Sequence, residues 1–242
     1  VNAPEDENPS AIEDTIVLLN TLHNQDYDHV IVVDRASNGL RLNPKQGVGL
    51  ARKIGCDLAL ALRFAGRLRS DWILQSDADV VFPAGYTDLL HQRPVHSSAG
   101  AQIFPHSHYS SDPTLHYAGQ LYDQHMSYYV AGLAMAGSRY AHHSLGSTIA
   151  VHATSYAAVR GYPKRCAGED FYLLNKVRKL APIEPLRGPI LSIEARTSAR
   201  VPFGTGPALR KIVESLATDP SGGSYLSYHP ACFSLLGRAL SA

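Results

Sequence analysis

Tryptophan occurs once, methionine twice and cysteine three times in the 242 residues. Cys56, Cys166 and Cys232 stand far apart and odd in number. That excludes a disulfide framework and a zinc ribbon, and it fits a reducing, cytoplasmic compartment. No run approaches the ~20 apolar residues of a bilayer-crossing helix. Charge of one sign is missing too: 22 Lys and Arg face 21 Asp and Glu. With no large field, non-specific binding of a nucleic acid is excluded, and any bound anion needs a local site. The opening "VNAP" shows no basic-then-apolar leader and reads as the tail of a strand whose start was trimmed or processed.

What is present is a globular composition. The chain is 45% hydrophobic and 18% charged, which rules out intrinsic disorder. A chain this long closes a full core. Twelve His and thirteen Tyr are many, and they concentrate between His91 and Tyr162.

Ser10 and Glu13 form a capping box after Pro9, and Ile12, Ile16, Leu19 and Leu22 follow at helical spacing. "HVIVVD" predicts a buried strand ending at Asp34, with "RASNG" as its turn. Val48, Ala51, Ile54, Leu58, Ala61, Ala65 and Leu68 predict a long amphipathic helix from Gly47. "DWILQSDAD" is the next strand, "YTDLLHQ" a short helix and "AGAQIF" a further strand. Alternating strands and helices predict an α/β fold with a mostly parallel central sheet, whose ligands sit at strand carboxyl ends. Asp34, Asp77 and Asp79 all lie at such ends. Further on, "PHSHYSSDPTLHYAGQ" reads as loop and "LYDQHMSYYVAGLAMAG" as a helix. "GSTIAVH" and "GPILSIEA" read as strands. "ATSYAAVRG", "GEDFYLLNKVRKL", "GPALRKIVESLA" and "ACFSLLGRAL" read as helices.

Several residues carry chemistry. Asp77 and Asp79 are i and i+2 of an extended segment, so both carboxylates reach one side and suit Mg²⁺ or Mn²⁺ bridging to phosphates. The same short pattern also occurs in solvated turns. Glu169 and Asp170 follow Gly168. One of them serves as a general base if it faces a cleft, with burial and its neighbour raising its pKa; otherwise both simply complement a helix dipole. Gly47 and Gly49 with Arg52 and Lys53 offer backbone to a phosphate, yet the third glycine of a dinucleotide fingerprint is missing. Arg196 and Arg200 with Gly204, Thr205 and Gly206 form a basic loop that could close over a diphosphate. His106 with His108, or His142 with His143, could hold a metal. So could His152 or His229, but no Cys/His spacing selects among them.

In order and spacing these motifs resemble glycosyltransferase family 2 on the GT-A fold. "IVVDRASNG" resembles the family's strand and turn ending in a base-reading Asp. "GVGLARKIGCDLA" resembles its Gly/Ala-Arg helix, with Lys53 where Asn is usual. "WILQSDADV" resembles its D-x-D strand. "GSTIAVHATSYAAVRGYPKRCAGEDFYLL" resembles its acceptor-side segment ending in Glu-Asp. Arg35 replaces a usual second acid, and the absence of Q-x-x-R-W implies non-processive transfer.

The resemblance implies one GT-A-type domain over 1–242. Residues 1–100 would form the nucleotide-sugar-binding half, and residues 101–242 the acceptor half with the C-terminal helices. It implies an inverting hexosyl transfer from a nucleoside-diphosphate sugar, UDP by default, to a carbohydrate, lipid-linked or small-molecule acceptor. A lipid-linked acceptor would bring peripheral membrane attachment. Asp79 with Asp77 would hold the metal, and Asp170, supported by Glu169, would be the base. Asp34, Pro4 and Glu5 would contact the nucleoside, Arg52 the base or the phosphates, and Arg200 the diphosphate. Tyr109, His116, Tyr128, Tyr129 and Tyr140 are expected near the acceptor. A retaining GT-A transferase, a sugar nucleotidyltransferase and a non-catalytic nucleotide-sugar-binding domain remain open alternatives.

Overall fold

A computed structural model describes residues 1–25, 27–88, 98–198 and 204–241. The chain is α/β. Helix α1 (Pro9–Asn24) begins one step before the expected capping box. Asn8, not Ser10, is the cap, and its side chain accepts from the Ser10 amide at 2.9 Å. Pro9 takes the first helical position, where a missing N–H costs nothing. Helix α2 (Gly47–Phe64) follows the expected periodicity but stops short of Ala65 and Leu68, where Gly66 turns the chain with a φ of +71°.

The sheet is not the mostly parallel one anticipated. Strands β1 (Trp72–Leu74), β3 (Ala101–Ile103), β5 (Ile149–His152) and β6 (Ile183–Pro185) form one small sheet in the order β1-β5-β3-β6. β5 runs antiparallel to both neighbours, and β6 runs parallel to β3. β1, β3 and β6 therefore share a direction, with β5 reversed between the first two. A second sheet has the order β2-β7-β4, from β2 (Val80–Val81), β7 (Leu191–Glu194) and β4 (His106–Tyr109). β2 is antiparallel to β7, whereas β4 is parallel to it.

Three local expectations also change. "HVIVVD" is not a buried strand: Val30 and Ile31 are more than half exposed. Its neighbourhood makes only the isolated bridges Asn2–Arg35 and Pro4–Leu42, too few for a ladder. The "PHSHY" stretch is strand β4, not loop, because its backbone pairs with β7. Helix α3 (Pro113–Met135) starts earlier than expected, since the Asp112 side chain caps it by accepting from the Leu115 amide at 2.9 Å. Most of the short helix expected at "YTDLLHQ" lies outside the described residues.

Side-chain alternation puts two cores on the first sheet. On one face Ile73, Ile103, Ile149 and Val151 pack with Cys56 of α2, Tyr156 of α4 (Ala153–Ala158) and Leu173, Leu174 and Val177 of α5 (Glu169–Arg178). On the other, Ala150 packs with Phe104, Leu186 and Leu191, joined by Leu74 and Val80. A third cluster joins α3 to α6 (Thr205–Thr218) through Ala118, Tyr122, Leu209, Ile212 and Leu216. The last helix, α7 (Pro230–Leu240), docks on α3 through Phe233, which packs on Tyr128 and Tyr129.

Candidate functional site

The site is organised by Arg52 on the second turn of α2. Its Nε donates to Glu169 Oε1 at 2.9 Å, its Nη2 to Asp77 Oδ1 at 2.6 Å and its Nη1 to the Gly146 carbonyl at 3.2 Å. A planar guanidinium with a fixed fork of donors is suited to holding three acceptors at once. The D-x-D turn and the Glu-Asp pair, 92 residues apart along the chain, thus meet on one side chain.

Two glycines make this meeting possible. A Cβ on Gly146 would lie 2.6 Å from Arg52 Nη2, so any larger residue would push the guanidinium from this seat. A Cβ on Gly49 would lie 2.4 Å from the Pro163 carbonyl oxygen and 2.6 Å from the Arg165 backbone. The Gly49 amide instead donates to the Arg165 carbonyl at 2.8 Å. The glycines read as phosphate-facing therefore seat the loop that leads into Glu169. Lys53 bonds Asp57 and the Arg160 carbonyl beside that loop.

Glu169 is buried, and burial followed by the charge of Asp170 raises its pKa, against the pull of Arg52. Asp170 is likewise raised, chiefly by burial, although its carboxylate accepts from the Phe171 amide at 2.7 Å. Burial raises both carboxyls, and Arg52 opposes that rise on each. Tyr122 and Tyr162, both buried, feel the charge of Asp170 and are kept protonated mainly by desolvation. The Tyr162 hydroxyl is buried without a hydrogen-bond partner. Tyr162 falls within the acceptor-side segment quoted above without a signal of its own, and Tyr122 lies in none of the motifs.

Asp79 is held by Arg196, whose Nη2 and Nε donate to Oδ2 at 2.7 and 3.1 Å. Its carbonyl accepts from the Glu194 amide at 3.0 Å, which locks the turn to β7. Each D-x-D carboxylate therefore has an arginine as partner. Among the described residues no group of three or more His, Cys, Asp or Glu could hold a metal ion, the histidine pairs included. Asp77 and Asp79 are hard oxygen donors of the kind Mg²⁺ or Mn²⁺ takes, and such an ion would have to displace Arg52 and Arg196 from them.

Pro4, Glu5 and Asp34 are brought near one another by backbone pairing. The Ala3 amide donates to the Arg35 carbonyl and the Glu5 amide to the Leu42 carbonyl, each at 3.0 Å. Asp34 Oδ1 accepts from the Ala36 and Ser37 amides at 2.9 and 3.0 Å. Hydrogen bonds from Ser37, side chain and backbone, and from Ala36 hold its carboxyl down to about 2. Arg200 lies outside the described residues. Of the aromatic set expected at the acceptor, Tyr109 and His116 line one groove. Tyr128 instead donates to the Tyr228 carbonyl at 2.8 Å, and Tyr129 packs on Tyr228 and Phe233; both belong to the docking of α7. Tyr140 is exposed.

No family model matches the chain, and no curated protein or solved structure matches it. Among the described residues, no helix is long and apolar enough to cross a membrane.

Proposed function

We propose that this chain is a metal-dependent, inverting, non-processive glycosyltransferase of the GT-A type, using a nucleoside-diphosphate sugar, UDP by default. One observation carries the reading: Arg52 joins Asp77 of the D-x-D turn to Glu169 of the Glu-Asp pair. A donor-holding motif and a proton-accepting motif thereby share one rigid support, as a single-displacement transfer requires. The α/β layering, with β1, β3 and β6 in one direction, is compatible with such a domain.

In this reading Asp170 takes the proton of the acceptor hydroxyl. The hydroxyl oxygen forms its bond to the anomeric carbon as the bond from that carbon to the diphosphate oxygen breaks. The nucleoside diphosphate leaves with the electron pair. Asp77 and Asp79 would hold a divalent cation on the diphosphate, and that cation supplies neutralisation of the leaving group's charge. Arg196 moves off Asp79 towards the phosphates. Pro4, Glu5 and Asp34 line the nucleoside end.

A thermal-shift panel of UDP, GDP and dTDP with and without Mn²⁺ tests the reading. A nucleotide at ~100 times its dissociation constant stabilises by about 2.7 kcal/mol. The shift should require Mn²⁺ and be lost in Asp79→Asn even with Mn²⁺ present. A well-folded chain that no nucleoside diphosphate stabilises overturns the proposal.

A further inference from the structure

An open groove of about 500 Å³ runs between strand β4 and helix α3. The strand contributes Ser107, His108 and Tyr109, and the helix contributes His116, Gln120 and Asp123. The helical residues recur at i, i+4 and i+7, so they form one stripe facing the strand. β4 is the edge of its sheet, with β7 its one strand neighbour among the described residues, so its outer side is open to this groove.

His108 is 2% exposed. Its Nδ1 meets Asp123 Oδ1 at 2.6 Å, and its backbone amide donates to Asp123 Oδ2 at 2.7 Å. The carboxylate places a proton on Nδ1, which leaves Nε2 as the ring's second hydrogen-bonding atom. That Nε2 is buried with no partner. His116 repeats the pattern: one ring nitrogen meets Gln120 at 3.2 Å, while Nδ1 is buried and unpartnered. Two unsatisfied imidazole nitrogens, one on the strand side and one on the helix side, are costly unless a ligand or water completes them.

We propose that this groove is a carbohydrate-binding subsite. No Lys or Arg lines it, and its one carboxylate is engaged by His108, so neither phosphate nor a carboxylate ligand is matched. Its lining offers hydroxyl, amide and imidazole groups in number, together with the 40% exposed ring of Tyr109. A polyhydroxylated ring with an apolar C–H face uses both kinds of group.

Sheet register relates the groove to the D-x-D turn. Tyr109 pairs with Glu194, and the Glu194 amide bonds the Asp79 carbonyl. Tyr109, Glu194 and Asp79 therefore form one row on one face, with roughly 10 Å across two strand spacings and a sugar ring filling about half of that. A sugar stacked on Tyr109 would lie along this row from the D-x-D turn, and an acceptor of two or more sugar units would span the two. The word acceptor rests on the transferase reading; the binding of a sugar does not.

The test is backbone amide chemical-shift mapping on the ¹⁵N-labelled chain. The probes are methyl glycosides of glucose, galactose, mannose and N-acetylglucosamine, and the β1,4- and α1,4-linked disaccharides of glucose. At least one should shift the amides of Tyr109, His116 and Gln120, with the disaccharide of that sugar binding more tightly. Gln120→Ala and His116→Ala should weaken it about tenfold each. No shift at these amides with any probe overturns the proposal, as does an affinity unchanged in both variants. A chain that binds UDP with Mn²⁺ but no saccharide sinks the subsite alone. One that binds a saccharide here but no nucleotide sinks the transferase reading alone.

Discussion

Replacing Arg52 with leucine removes the support on which both motifs rest. The side chain is 11% exposed and that of Glu169 is 6% exposed, so their ion pair is buried; Asp77 is 45% exposed, so its arm is screened. Breaking a buried pair from one side costs about 3–5 kcal/mol, because the remaining charge is stranded. The Asp77 arm adds at most about 1 kcal/mol. Arg52→Leu should therefore lower the unfolding free energy by about 4 kcal/mol at neutral pH, read from the urea midpoint at unchanged slope. For a chain of this size that is a fall in Tm of roughly 8–16 °C.

The loss depends on pH with a definite sign. Glu169 is raised by burial and by Asp170, and Arg52 holds it down. Without the guanidinium its folded-state pKa climbs further above the unfolded value. The folded variant then binds a proton that the unfolded chain does not, so stability returns as pH falls and is poorest above neutrality. Adding Glu169→Gln removes the stranded charge and should recover about half of the loss or more. A single-variant loss below about 1 kcal/mol, or a double variant no more stable than the single one, would refute the buried-hub account.

Gly49→Ala should destabilise by about 1–3 kcal/mol through its clash with Pro163 and Arg165, although helix propensity alone favours alanine by about 1 kcal/mol; urea unfolding decides the sign. Asp170→Asn should keep the nucleotide-induced thermal shift and lower kcat by about 10²–10⁴. The parent's rate should decline as pH drops through the raised Asp170 pKa, since the base must be ionised. Asp34 should titrate at about 2 by ¹³C carboxyl NMR. Its turn contributes stability above the unfolded pKa of ~3.9 that is lost as pH falls towards the folded value. Asp34→Ala should lose that contribution, while Asp34→Asn should keep the turn's acceptor.

Much of the helical layout was legible. The apolar spacing of α2, the acids-first, bases-last order of α5 and the amphipathic stripe of α6 are local signals, and each helix forms where they predict it. β6 was missed because three residues between Pro182 and Arg187 show no periodicity, and pairing with β3 alone makes them a strand. β4 was missed because its histidines and tyrosine look polar, yet His108 is buried against Asp123 and Tyr122. The β-branched "HVIVVD" misled in the opposite direction, since propensity without a partner ladder does not make a strand.

The sequence alone placed the acids: a D-x-D after an apolar strand and a Glu-Asp pair opening a helix are patterns of adjacent residues. It also excluded a field-driven polyanion partner, because net charge is a sum that needs no coordinates. Only the tertiary structure decided that Gly49 seats a loop, that Gly146 admits a guanidinium, and that Arg52 joins residues 25 and 117 positions away. Those facts depend on strand order and the reversed direction of β5. Both are set by which chain segments bury one another's apolar faces, a long-range outcome that no periodicity along the chain encodes.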